Sequence, residues 1–365
     1  SSESDYTDSI SQPFNHQRGN QMSLPPSSTK VLVTGASGFI GLHTTLSLLQ
    51  LGYQVRGTVR SEEHAKGVRD SLSKHVKLDR LELIQADLLN EEGWREAAEG
   101  CEYAIHVASP FPAEEPKDPN ELIRPARDGT LRVLRAAQAA GVRRLVLISS
   151  VVAITGGHEG ENRTFDESDW TDLEKCKSSY SISKTMAERA AWNFVHTAEN
   201  HTGMEMVSIN PTNVFGPPLD GRHFTSTEWF RTLMRGEVPG VSRTQLDFVD
   251  VRDVVDMSVR AMITPAAANK RFLLNAASIP MEEFAKILQR HFGSRGYKVP
   301  MRVMPNWVVH LFAMLIPKVR NVALQLNWTY TLSTEQARAV LGWQAHPYEQ
   351  TVIEMGNGMI EHGQI

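Results

Sequence analysis

Three glycines spaced three residues apart, Gly35, Gly38 and Gly41, stand in the stretch VLVTGASGFIGLHTT between an apolar run and a helix-like run. That placement demands a tight turn from a strand into a helix. The first turn of a helix presents unpaired N–H groups and the positive end of the helix dipole. Residues without a Cβ let such a backbone close on an anion, for example a pyrophosphate. The spacing here is Gly-x-x-Gly-x-x-Gly rather than the Gly-x-Gly-x-x-Gly of many dinucleotide sites. The flanking strand and helix therefore matter as much as the glycines.

From Lys30 onward, short apolar runs alternate with helical patterns. KVLVTGA, YQVRGTVR, LELIQADL, YAIHVAS and RRLVLISS read as strands, and LHTTLSLLQLG, EGWREAAEG and DGTLRVLRAAQAAG as helices between them. YSISKTMAERAAWNFVHTA reads as a long helix, followed by the strand and loop MEMVSINPTNVFG. This alternation predicts an α/β fold, a doubly wound parallel sheet of the Rossmann type. After Gly216 the pattern loosens into loops, short helices and a strand or two. The expected organisation is a tail over 1–29, a dinucleotide-binding domain over 30–216, and a smaller, mostly helical C-terminal substrate lobe over 217–365. LDFVDVRDVVDMSVRAMI, within 246–264, is expected to return to the first domain as a strand and a helix.

Composition removes several function classes. A formal net charge of -4 with no long run of like charge gives no reason to expect a nucleic-acid partner. The two cysteines, Cys101 and Cys176, lie far apart, and no Cys/His spacing suggests a metal site. Residues 1–29 are rich in Ser, Asn, Gln and Pro and lack the apolar core of a signal peptide, so a disordered tail is expected there. Met22, just before the ordered pattern, is a candidate native start. NWVVHLFAMLI, Asn306–Ile316, is too short to span a bilayer. It reads as a buried or half-buried helix, with a surface contact to a membrane or a partner subunit as the alternative. A cytoplasmic location is expected.

In a doubly wound sheet, ligands bind beyond the carboxyl ends of the strands. The turn from Gly35 to Gly41, with Ser37, Phe39 and Ile40, is thus the expected phosphate cradle. The second strand ends Thr58-Val59-Arg60-Ser61, with no carboxylate to accept from a ribose hydroxyl. Arg60 at that end suits a 2′-phosphate through its planar fork, so NADPH/NADP+ is the expected cofactor. Asp87 and Leu88 close the third strand, where Asp87 either accepts from an adenine amino group or caps a helix. Val107, Ala108 and Ser109 end the fourth, where small residues admit the nicotinamide-side ribose and phosphates.

YSISK places Tyr180 and Lys184 four residues apart, on one helix face. A phenol has a reference pKa of about 10. A nearby ammonium stabilises the phenolate and is expected to lower it, so that Tyr180 gives its proton to a carbonyl oxygen as hydride reaches the carbon. Lys184 is also placed to hold the nicotinamide ribose. Ser149 and Ser150 end RRLVLISS at the same sheet edge. Ser150 is the preferred hydroxyl for binding the developing alkoxide, with Ser149 the alternative.

TGASGFIG, the Ser150, Tyr180 and Lys184 set, and NPTNVFGP resemble the extended short-chain dehydrogenase/reductase superfamily. YQVRGTVRS, KDPNELIRPARDGTLRVLRAA, RRLVLISS and FDESDW resemble its dihydroflavonol-reductase-like branch, with cinnamoyl-CoA reductases and yeast-type aldehyde and methylglyoxal reductases. The resemblance covers about Lys30 to Gly342. It implies NADPH-dependent reduction of a small-molecule carbonyl, with Ser150, Tyr180 and Lys184 catalytic and Pro211, Thr212 and Val214 along the nicotinamide and substrate pocket. The chain departs from the branch at Thr212-Asn213 and in the loop after Ser150, which shifts the expected substrate from a flavonoid toward a generic aldehyde or ketone. Asn213, Trp229 and Phe230 are expected pocket residues, with core packing the alternative for the two aromatics; His158 and His223 are weaker candidates. Monomer and homodimer are both compatible with the sequence. Alternative functions are a hydroxysteroid dehydrogenase, a sugar-nucleotide epimerase or dehydratase, and a non-catalytic NADP(H)-sensing regulator.

Overall fold

The computed structural model describes residues 26–107 and 118–365. The strands are β1 Lys30–Thr34, β2 Gln54–Val59, β3 Leu81–Gln85, β4 Tyr103–His106, β5 Arg144–Ile148, β6 Thr164–Phe165, β7 Glu205–Pro211, β8 Asn213–Phe215, β9 Gln245–Asp250, β10 Arg271–Leu274, β11 Ala277–Pro280 and β12 Thr331–Leu332. Seven of them form one parallel sheet in the order β10-β7-β5-β4-β1-β2-β3. The order reverses between β1 and β4, which opens a crevice at their carboxyl ends.

Side chains alternate across this sheet, and each face has its own helices. Val31, Val33, Ile105, Val146, Ile148, Val207 and Ile209 face the layer that contains Leu42, Leu46, Val68, Val254 and Met257. These come from the helices Phe39–Gln50, Glu62–Leu72 and Val251–Ile263. Leu32, Ala104, Leu145, Leu147 and Met206 face the opposite layer, with Val133, Leu134, Ala137, Ala191 and Phe194. Those belong to the helices Asn120–Ala139 and Ser179–His196. Burial on both faces explains why the strands read as continuous apolar runs.

The return toward the sheet differs from expectation in one respect. The helix Val251–Ile263 does pack on the main sheet, but β9 does not join it. β9 pairs in parallel with β8 and antiparallel with β11 in a separate three-stranded sheet. The seventh position of the main sheet goes to β10 instead. The cause is local. Only Thr212 separates β7 from β8, and its N–H still bonds Leu274 O at 3.0 Å. After that residue the chain leaves the main sheet, and β8 becomes the template for β9.

The second sheet carries the core of the smaller lobe. Phe215, Phe230, Phe248 and Phe284 are fully buried there, with ring centroids 5.0–5.9 Å apart. The helices Met281–Phe292 and Tyr348–Glu361 supply Leu288, Val352 and Met355 to the same cluster. At the amino end of the described residues, Pro26–Ser28 form a short 3-10 turn and Thr29 is buried. The rest of the expected tail lies outside the described residues. Among the described residues, no helix is long and apolar enough to cross a membrane.

Candidate active site

The glycine loop lies at the carboxyl end of β1, and its three glycines do different things. Gly35 has φ +65°, a left-handed conformation that favours glycine. Its N–H meets Thr58 Oγ1 at 3.2 Å. A Cβ on Gly41 would lie 1.9 Å from Gly35 O, so the helix could not pack so close to the turn. Gly38 is different. A Cβ there would meet only Gly35 O, at 3.4 Å, an ordinary contact. The fold needs Gly35 and Gly41, whereas the packing around Gly38 leaves room for a Cβ. Gly38 is also the N-cap of the helix Phe39–Gln50, which has no side-chain cap and no acidic residue in its first turn. The cradle fits the phosphates of a dinucleotide.

Arg60 stands at the surface just beyond β2, and Ser61 caps the next helix through His64 N at 3.3 Å. Arg222, from the loop after Gly216, reaches the same cradle. Its Nη1 donates to Ser37 O at 3.2 Å, while its buried Nη2 has no partner. An unpaired buried guanidinium nitrogen beside a phosphate cradle is what an anionic ligand would satisfy. Sequence reasoning missed Arg222. Its only signal was an arginine in a Gly- and Pro-rich loop, and no local pattern ties that loop to Ser37.

Asp87 is not a helix cap. Its Oδ1 accepts from Leu89 N at 2.9 Å, a local turn that orients the end of β3. Leu88 packs on the small residue Gly129, and its carbonyl accepts from Arg132 at 2.6 Å. Val107 N donates to Thr34 Oγ1 at 3.0 Å. Ala108 and Ser109 lie outside the described residues. His106, another residue missed from sequence, is buried, and burial lowers its pKa to about 3. It stays neutral, 2.6 Å from Thr34 Oγ1.

Tyr180 and Lys184 open the helix Ser179–His196, whose N-cap Ser178 accepts from Ser181 N at 3.3 Å. Lys184 Nζ donates to Ile148 O at 3.3 Å, which binds the helix to the end of β5. Here the structure corrects an expectation. Tyr180 is not lowered by its neighbour, because burial penalises its phenolate and pushes the pKa up to about 12. Burial likewise lowers Lys184 to about 8, against the opposing pull of Glu188. Both shifts have the same origin, the cost of charge in an apolar interior.

One turn further along the same face, Glu188 is buried and surrounded by donors. Ser149 Oγ lies at 2.5 Å, Arg271 Nε at 2.7 Å, Asn210 Nδ2 at 2.8 Å, Ser208 Oγ at 3.0 Å and Trp192 Nε1 at 3.1 Å. Burial alone would raise its pKa, but Arg271 and these donors prevail and hold it low. Asn210 Nδ2 also bonds Ser150 O at 3.1 Å. The two serines are thereby distinguished. Ser149 is turned inward to the carboxylate, and Ser150 is half-buried with its hydroxyl accepting from Val152 N at 3.2 Å. His106, Ser149, Lys184 and Glu188 border one small internal cavity.

The remaining candidates are spread more widely. Pro211 O accepts from Val151 N at 2.9 Å, next to Ser150. Thr212 is buried, its hydroxyl 3.3 Å from Leu274 O and 3.1 Å from Asn275 Oδ1. Val214 is half-buried against the main core. Asn213 is exposed on the same short strand, with Nδ2 bonded to Asp247 O at 2.8 Å. Trp229 is half-buried against Phe215 and Phe284. Phe230 is fully buried in the lobe core and turns no surface outward. His158 has both ring nitrogens engaged, by Glu161 at 3.0 Å and Trp170 O at 2.9 Å, while His223 is exposed. Burial pushes the thiol of Cys176 up, away from the thiolate form.

A switch-point crevice, a glycine cradle and a Tyr-x-x-x-Lys helix together define an extended short-chain dehydrogenase/reductase. The comparisons agree: a model of the NAD dependent epimerase/dehydratase family matches residues 31–277, and the chain belongs to that family. It is 34% identical over 308 residues to cinnamoyl-CoA reductase 1 of Arabidopsis thaliana, covering 83% of this chain and 87% of that protein. It is 32% identical over 281 residues to dihydroflavonol 4-reductase of Zea mays, covering 74% and 76%. The crystal structure of Gre2 from Candida albicans in complex with NADPH superposes with a TM-score of 0.75 at 26% identity, covering 92% of this chain and 99% of that one.

Proposed function

We propose that this chain is an NADPH-dependent oxidoreductase that reduces an aldehyde or ketone to an alcohol. The observation that carries the reading is the pairing of Tyr180 with Lys184 on one helix face at the end of β5. Relatives named as reductases of dihydroflavonol and cinnamoyl-CoA support it. On this reading residues 30–216 bind the cofactor, and 217–365 form most of the substrate lobe, with the helix Val251–Ile263 returning to the main sheet. The loop Gly35–Gly41 holds the pyrophosphate. Arg60, after β2, and Arg222, at the cradle, supply cations for the remaining phosphate.

Bound NADPH supplies the hydride. Tyr180 is protonated throughout the neutral range and gives its proton to the substrate carbonyl oxygen. Its high pKa makes it a reluctant acid, so the ammonium of Lys184 must stabilise the phenolate left behind. Ser150 donates a hydrogen bond to the same oxygen as charge develops on it. Asn213 and Trp229 are the side chains this reading assigns to the substrate's remaining groups. A screen of NADPH oxidation across aliphatic aldehydes, aromatic aldehydes, diketones, steroids and dihydroflavonols tests the reading. Turnover by native protein, lost in Tyr180→Phe with NADPH binding retained, supports it. Undiminished turnover in that variant sinks it.

A further inference from the structure

Eight large apolar side chains are exposed among the described residues, and six of them fall within 301–316. The helix Asn306–Leu315 is turned apolar side outward. Trp307, Leu311, Met314 and Leu315 share one stripe at helical spacing and are 69%, 48%, 77% and 73% exposed, while Val309 on the other side is buried. Ile316 continues the crest, and Pro317 opens a second helix, Pro317–Leu324, packed against the first. The hairpin has two roots on one segment. Met304 N bonds Val241 O at 2.9 Å, and Asn327 N bonds Arg243 O at 2.9 Å.

Charge along this stretch of the chain has one sign. From Phe284 to Thr334 the chain carries seven lysines and arginines and no Asp or Glu, although the whole chain is at -4. Lys286 and Arg290 pair with glutamates outside that interval. Lys298, Arg302, Lys318 and Arg320 are exposed and pair with no carboxylate among the described residues. An outward apolar stripe with a tryptophan, bordered by cations, is the composition of a helix that lies in a membrane interface.

We propose that the hairpin formed by Asn306–Leu315 and Pro317–Leu324 docks this protein on the surface of an anionic lipid bilayer. The crest enters the headgroup boundary, and Lys318 and Arg320 meet lipid phosphates and carboxylates. The helix lies on the bilayer and does not cross it: ten residues reach about 15 Å, half the hydrocarbon core. A second copy is a poorer occupant, since a two-fold contact would set these unpaired cations against their own images. The proposal is independent of the reading of the reductase site.

The test is co-sedimentation of the full chain with vesicles of phosphatidylcholine alone and of phosphatidylcholine with phosphatidylserine. Binding to the phosphatidylserine vesicles at low salt, its loss at high salt, and little binding to neutral vesicles are expected. Leu311→Ser with Met314→Ser, and separately Lys318→Glu with Arg320→Glu, should each weaken binding at least about tenfold. Thermal midpoints should stay unchanged, because all four side chains are exposed. No pelleting with anionic vesicles at low salt would overturn the proposal. So would equal pelleting of both variants, or a concentration-dependent dimer that Leu311→Ser with Met314→Ser abolishes in a protein that ignores vesicles.

Discussion

Lys184 and Glu188 lie one helical turn apart on the same buried face, and the carboxylate of Glu188 is fixed from behind by Arg271 at 2.7 Å. Burial lowers the ammonium of Lys184 to about 8, and Glu188 is what keeps it from falling further. If Tyr180 and Lys184 act as proposed, this carboxylate is a positioning group that tunes proton donation through Lys184. It also ties the ends of β5 and β7 together through Ser149, Ser208 and Asn210. Native kcat/KM for carbonyl reduction is expected to fall as pH rises through about 8, where Lys184 loses its charge. In Glu188→Gln that fall should move to lower pH. The same variant leaves Arg271 buried without its counter-ion, a change that costs about 3 kcal/mol of stability. A pH–rate profile and a denaturant titration check both; an unmoved alkaline limb would remove the tuning role.

Tyr180→Phe removes one oxygen and keeps the ring. Because general acid catalysis contributes about 10²–10⁴-fold, kcat should fall by roughly 10³-fold, while the Kd for NADPH stays within about threefold. Lys184→Met should also lower kcat. It should weaken NADPH binding as well if the ammonium holds the ribose. Stopped-flow turnover and fluorescence titration of NADPH separate these effects.

The glycine loop gives a paired prediction. Gly41→Ala drives a methyl into Gly35 O, backbone that cannot move without opening the first turn. Its yield and thermal midpoint should fall sharply. Gly38→Ala meets no such obstacle, so its stability should match native within about 0.5 kcal/mol. Its KM for NADPH should nevertheless rise at least about tenfold, because the added methyl occupies the space a phosphate needs. If Gly38→Ala unfolds the protein, the division of labour among the glycines is wrong.

The parallel sheet, the glycine loop and the Tyr180–Lys184 face were legible from sequence because each is local. A strand, its turn and the next helix are contiguous, and four-residue spacing shows directly on a helix. What stayed hidden was long-range. Arg271 is 83 residues from Glu188 and Arg222 is 185 from Ser37, so no window of sequence shows either contact. The placement of β9 depended on where a single residue, Thr212, released the chain from β7. The pKa of Tyr180 went the other way because burial penalises its phenolate, and Lys184 is itself desolvated.

Cofactor preference should reside in two arginines from different parts of the chain. Arg60 follows β2, and Arg222 carries a buried nitrogen without a partner beside the phosphate cradle. A hydrogen bond to a charged group is worth about 1.5–3 kcal/mol. Arg60→Ala should thus raise KM for NADPH by roughly tenfold or more with little change for NADH. Arg222→Met, which keeps most of the aliphatic stem, should weaken NADPH binding too. Calorimetric titration of both variants with both cofactors checks this. Unchanged NADPH affinity in Arg60→Ala would contradict a contact to the 2′-phosphate.

Two buried histidines should make the fold sensitive to acid. Burial lowers His43 to about 4 and His106 to about 3, so both stay neutral in the fold well below the pH at which the unfolded chain takes up their protons. His43 Nε2 is bonded to Pro217 O at 3.0 Å, and His106 Nδ1 to Thr34 Oγ1 at 2.6 Å. The sign follows from linkage. Between pH 6.5 and about 4 the unfolded state binds more protons, so stability falls as pH falls. Each histidine contributes a slope of up to about 1.4 kcal/mol per pH unit in that window. His43→Gln, whose amide can still donate to Pro217 O, should lose one such slope and resist acid better than native protein despite a lower stability at pH 8. Denaturant midpoints at pH 8, 6 and 5 for native and variant decide it: parallel curves would mean that these histidines do not govern acid unfolding.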